Sequence, residues 1–152
     1  YDIEGYDTAH KTAILASLAF GMDVKFDDVY VEGITNIQPV DFSSAARLGF
    51  AIRLLGIARR EQPGGPIEVR VHPTLVPCNS PLGNVRGVFN SIVVDGEPIG
   101  RTMYYGRGAG AGPTASAVIS DLMALAADTA GYNANRDARL AIGVGETWSY
   151  FM

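Results

Sequence analysis

The stretch Asp2-Ile3-Glu4-Gly5-Tyr6-Asp7-Thr8-Ala9-His10-Lys11 leads into Thr12-Ala13-Ile14-Leu15-Ala16-Ser17-Leu18-Ala19-Phe20, with no helix breaker before Gly21. Ala9, Ala13, Ile14, Leu15, Leu18, Ala19 and Phe20 predict a helix, with Asp7 at its N-cap. Between Thr12 and Phe20 only Thr12 and Ser17 are polar, so the helix is expected to be buried nearly all round. Lys11 follows Asp7 by four residues and shares its face. Gly5 is free to take left-handed backbone angles and is placed to fold Asp2 back beside that face.

Two carboxylates and one ammonium are thus expected together, and the residues leave two readings open. One is an ordinary acidic helix start with an i,i+4 ion pair, worth about 0.2–0.5 kcal/mol. The other is a proton-transfer site, in which desolvation lowers the lysine pKa and the carboxylates raise it, tuning Lys11 to donate and accept a proton.

Outward from this helix, Val29 to Ile34 alternates as a short strand, and Pro39 opens a second helix that ends at Gly49. Phe50 to Arg59 and Ile67 to Val71 flank the turn cluster Glu61-Gln62-Pro63-Gly64-Gly65-Pro66 and predict an antiparallel hairpin. Val85 to Val94 and Ile99 to Tyr105 repeat that plan around Asp95-Gly96-Glu97-Pro98. A last helix starts near Pro113 and runs through Ala117, Val118, Leu122 and Leu125. Ala130 to Ala138 reads as a solvated loop. The expected class is α+β, a mixed, mostly antiparallel sheet covered by helices on one face.

The chain has 152 residues, 47% hydrophobic, with a formal net charge of −4. That fits one domain with a sizeable core. An acidic balance without a basic stripe argues against nucleic acid, and no apolar run reaches membrane-span length. The single cysteine, Cys78, forms no intramolecular disulfide and suits a reducing, cytoplasmic setting. Neither histidine has neighbours at metal-ligand spacing, so no metal is expected. His72 and Cys78 share a Pro-bounded loop and would form a nucleophilic dyad only with a carboxylate or amide to complete it. His10 reads as a capping or surface residue. Thr35, Asn36 and Gln38 either line a substrate cleft or are polar simply because they lie in a loop.

The opening run closely resembles the signature of homoserine dehydrogenases, an Asp-x-x-Gly-x-Asp segment leading into a lysine-bearing helix. Three later stretches agree with that family in the same order: Val29-Tyr30-Val31-Glu32-Gly33-Ile34, His72-Pro73-Thr74-Leu75-Val76-Pro77, and Tyr105-Gly106-Arg107-Gly108-Ala109-Gly110 with Pro113-Thr114-Ala115-Ser116-Ala117-Val118. The resemblance spans residue 1 to about Asp128, with a weaker echo at Glu146-Thr147-Trp148-Ser149-Tyr150-Phe151.

The resemblance implies an oxidoreductase that interconverts L-homoserine and L-aspartate 4-semialdehyde with NADP or NAD, in threonine, methionine and isoleucine biosynthesis. It implies that Lys11 exchanges a proton with the substrate oxygen while Asp2 and Asp7 bind substrate and orient the lysine. It implies a homodimer joined through the sheet.

Members of that family have an N-terminal Rossmann domain, and no βαβ unit opens this chain. The expectation is therefore a single catalytic and substrate-binding domain over residues 1–152, inactive in isolation. Gly106-Arg107-Gly108-Ala109-Gly110-Ala111 fits a relaxed dinucleotide fingerprint, but the preceding strand belongs to a hairpin, so it is not an independent Rossmann site. By resemblance, Gly108 and Gly110 face a cofactor held by another domain; equally, they serve only the turn into the helix. Two alternatives differ in class: a non-catalytic oligomerisation or interaction module, and a domain of a reductase for another small semialdehyde.

Overall fold

The computed structural model describes residues 1–128 and 148–151. In chain order the elements are α1 (Tyr6–Phe20), β1 (Tyr30–Val31), α2 (Pro39–Arg47), β2 (Phe50–Arg60), β3 (Ile67–Pro77), β4 (Phe89–Gly96), β5 (Gly100–Arg107), α3 (Ala111–Asp128) and β6 (Trp148–Phe151). The strands form one sheet in the order β1-β3-β2-β6-β4-β5. Among the described residues, only β1 and β3 pair in parallel and every other neighbouring pair is antiparallel. The α+β class with a mostly antiparallel mixed sheet is the class expected.

Each hairpin has a carboxylate and a guanidinium directly opposite one another near its turn. Arg59 faces Glu68 across β2 and β3, and Asp95 faces Arg101 across β4 and β5. Both pairs form ion pairs. Such cross-strand pairs help fix register. The two hairpins are joined through β6, which bonds to β2 on one side and β4 on the other.

The main core lies where α1 crosses the first hairpin. Ala9, Ala13, Ala16 and Phe20 of α1 are buried against Ala58, Val69 and Val71. Small side chains bring the helix close, and Gly56 brings it closer: a Cβ there would stand 2.0 Å from Thr12 Oγ1. Thr12 is buried and turns its hydroxyl onto its own helix, donating to the Thr8 carbonyl at 2.7 Å. The alternate residues of the hairpin, Leu55, Ile57 and Val76, form a smaller cluster with Leu82 on the opposite face.

Several sequence expectations change. Alpha1 is buried on one face only, with Ile14 and Leu18 61% and 76% exposed, because its alanine stripe and not its overall apolarity meets the sheet. Its N-cap is Gly5 at φ 84°, so Asp7 falls inside the first turn. Strand β3 runs six residues beyond Val71 to Pro77, which puts His72 in the sheet and not in a loop. Prolines at 73 and 77 are accommodated while the remaining residues keep the ladder with β2. Strand β1 shrinks to two residues: after it, Glu32 N–H donates to Val71 O, and Ile34 N–H turns to Ile3 O, both at 2.8 Å. Beta4 begins at Phe89, not Val85. The stretch from Ala130 to Ala138 lies outside the described residues, as do Glu146 and Thr147.

Candidate active site

The segment that carries the acidic residues is held by backbone. Gly5 N–H donates to Asp2 O at 3.1 Å, closing a turn, and the left-handed Gly5 then starts α1. A Cβ on Gly5 would also come within 3.2 Å of Val31 Cγ1 and Val71 Cγ1. From the other side Gly33 packs on the same turn, where a Cβ would stand 2.4 Å from Ile3 O. Two of the stretches quoted from the sequence, the opening run and Val29 to Ile34, therefore meet at this turn and fix where α1 begins.

One turn into the helix, Lys11 Nζ donates to Asp7 Oδ2 at 2.6 Å. The side chains are 53% and 43% exposed, so the pair is reachable by a ligand and Lys11 is only partly covered. Asp2 is exposed and makes no ion pair among the described residues, so it does not converge on the ammonium as the sequence reading expects. Its place is set by the turn that ends at Gly5.

The pair lies at a pocket of 460 Å³ lined by Asp7, Thr8, Lys11, Ile14 and Leu15 of α1, Leu54 of β2, and Asn90, Ser91 and Ile92 of β4. The walls are largely aliphatic. The arrangement sets one ammonium–carboxylate pair at the side of an apolar cleft, where a small polar molecule is shielded from water on one side and offered a proton donor on the other.

Asn90, Ser91 and Ile92 went unnoticed in the sequence. The available signal was the alternation Asn90, Ile92, Val94, which places Asn90 on the same side of β4 as its aliphatic neighbours.

Asn90 also connects the pocket to the glycine loop. It is the ladder partner of Gly106, and a Cβ on Gly108 would stand 1.9 Å from its Nδ2. Gly108 N–H donates to Val88 O at 3.1 Å, and Gly110, at φ 125°, accepts from Thr114 N–H at 3.1 Å as α3 opens. A Cβ at Gly106 or Gly112 would meet nothing within 4 Å. At Gly106 and Gly112 the main chain is therefore open to close approach, and the loop ends at a helix N-terminus. That suits a nucleotide cofactor's polar groups. Gly108 thus lies beside the Lys11 pocket, through Asn90.

The remaining candidates separate from the site. His10 is exposed and stacks on Phe26 at 4.2 Å, with Tyr1 Oη 3.2 Å from its Nε2. His72 Nε2 accepts from Arg70 Nε at 2.9 Å, which puts the ring proton on Nδ1, 2.9 Å from Pro73 O. Both ring nitrogens are thereby engaged, and Cys78 is exposed past the end of β3. Among the described residues no three His, Cys, Asp or Glu side chains group to hold a metal, and no helix is long and apolar enough to cross a membrane.

Fold and site together define an α+β domain with an ammonium–carboxylate pair at the mouth of an apolar pocket. A crystal structure of a homoserine dehydrogenase from Thiobacillus denitrificans matches with a TM-score of 0.81 and 46% identity, over 89% of this chain and 31% of that one. One from S. aureus matches with a TM-score of 0.74 and 39% identity, over 82% of this chain and 31% of that one.

The family model for homoserine dehydrogenase covers residues 1–123, and the chain belongs to the homoserine dehydrogenase family. The Pseudomonas aeruginosa homoserine dehydrogenase is 50% identical over 81% of the chain, and the Synechocystis one 52% identical over 80%. The chain spans 28% and 29% of the length of those two curated relatives.

Proposed function

We propose that this chain is the catalytic and substrate-binding domain of a longer, cytoplasmic NAD(P)-dependent homoserine dehydrogenase, interconverting L-homoserine and L-aspartate 4-semialdehyde in threonine, methionine and isoleucine biosynthesis. The observation that carries this reading is the Lys11–Asp7 pair at 2.6 Å beside an apolar pocket large enough for a small amino acid.

When bound, the nicotinamide supplies or takes the hydride. Lys11 Nζ supplies a proton to the substrate oxygen as negative charge develops there, and takes it back in the oxidative direction. Asp7 holds the ammonium to one side of the pocket, so Nζ is oriented before the substrate arrives. Asp2, on the turn pinned by Gly33 and Ile34, binds the substrate's charged end. Gly108 and Gly110 belong to the glycine loop that faces the cofactor.

A homodimer is part of this reading. Its support, besides the family, is an apolar groove of 490 Å³ lined in part by Leu55, Leu75, Val76, Val93 and Met103. The sheet can bury such a surface against a second copy.

The test is Lys11→Ala in the full-length protein. Turnover of homoserine is expected to fall by about 10²–10⁴-fold with an unchanged melting transition. Near-normal turnover would remove the acid/base role.

A further inference from the structure

Of the polar side chains lining the Lys11 pocket, Asp7 and Lys11 are engaged with each other. Asn90 is exposed there, and its carboxamide makes no hydrogen bond among the described residues. A free carboxamide offers two N–H donors and one carbonyl acceptor. It also forms the seat of the glycine loop. A Cβ on Gly108 would stand 1.9 Å from Nδ2, 2.4 Å from Cγ and 3.1 Å from Oδ1 of Asn90, so a side chain at 108 would push the Asn90 carboxamide from its place. The ladder partner of Asn90 is Gly106, which adds no side chain of its own to that contact.

We propose that Asn90 is a substrate-binding residue of the Lys11 pocket, its carboxamide hydrogen-bonding the charged end of a small amino-acid substrate while its other side supports the glycine loop at Gly108. The amide N–H groups suit a carboxylate and the amide oxygen suits an ammonium, so one neutral side chain serves a zwitterion without adding charge beside Lys11. Because the same side chain bears the loop, substrate binding and loop position are coupled through it. This assignment rests on the function proposed above.

The experiment uses the full-length protein with homoserine and NADP or NAD, read as separate KM and kcat values and as homoserine binding by calorimetry. Asn90→Ala is expected to raise the homoserine KM by about tenfold, with a smaller rise in the cofactor KM through the loop it supports and kcat little changed. Asn90→Asp is expected to do worse than Asn90→Ala, because it keeps the shape, loses the donors and opposes the substrate carboxylate. A purely structural role predicts the reverse ranking.

Gly108→Ala is expected to raise the homoserine KM on its own and to add little on top of Asn90→Ala, because the side chain it collides with is gone. If the unsubstituted protein binds and oxidises homoserine and Asn90→Ala behaves the same, or raises only the cofactor KM, the assignment is overturned while the proposed function stands. If the unsubstituted protein neither binds nor oxidises homoserine, the proposed function falls and this assignment falls with it.

Discussion

Helices α1 and α3 are both rich in alanine and aliphatic side chains, yet the structure treats them in opposite ways. Alpha1 seats Ala9, Ala13 and Ala16 on the first hairpin at essentially full burial. Alpha3, opened by the glycine loop, keeps Val118, Ile119, Leu122, Met123 and Leu125 exposed. Apolar content does not distinguish them. What distinguishes them is the surface they meet: α1 has Gly56 and Ala58 opposite its alanine stripe, so backbone can approach backbone. The site follows from that difference, because the pair that defines it rides on the helix that is fixed.

The largest effect that sharpens the comparison is the loss of turnover from Lys11→Ala, a change on α1 beyond its buried face. Next comes Gly56→Ala, which puts a Cβ 2.0 Å from Thr12 Oγ1. It is expected to destabilise the fold by about 1–3 kcal/mol in urea titration, and Thr12→Ala should recover part of that loss. No loss from Gly56→Ala would show that α1 is not held by close approach. By contrast Leu122→Ala in α3, an exposed position, is expected to change stability by less than about 0.5 kcal/mol in this chain. A loss as large as that of Gly56→Ala would erase the distinction between the helices.

The smallest effect concerns acid. Arg59 chiefly, with Arg70, holds the Glu68 carboxyl below its ordinary pKa, and Arg101 does the same for Asp95. A carboxylate lowered in the folded state stabilises fully above its unfolded pKa of about 4 and loses that contribution as pH falls through the lower folded value. Stability should therefore decline in the window at and below about pH 4. Glu68→Gln should shallow that decline slightly, because the pair is exposed and screened.

Much of the architecture was visible in the sequence where local chemistry decides it. The Glu61 to Pro66 turn cluster and the Asp95 to Pro98 turn sit between strands that do pair as hairpins. Pro39 starts α2 as a first-turn proline should. The structure departs from those expectations where a distant partner decides. The N-cap went to Asp7 and not Gly5 because the left-handed turn there is enforced by Gly33 and Val71, far along the chain. Helix α1 is buried on one face and not nearly all round, because periodicity cannot say which stripe of an apolar helix finds the sheet. At the site, Asp7 and Lys11 were readable from an i,i+4 spacing. Asn90 was not, since only the ladder between β4 and β5 and the approach of Gly108 bring it to the pocket.

The central claim, that Lys11 moves a proton on the substrate oxygen, is tested most directly by adding small primary amines to the full-length Lys11→Ala protein. Part of the lost homoserine turnover should return, saturating with amine concentration and varying with amine pKa as general acid–base catalysis requires. Turnover that stays at the variant's floor with every amine, in a protein that still binds homoserine, would contradict it.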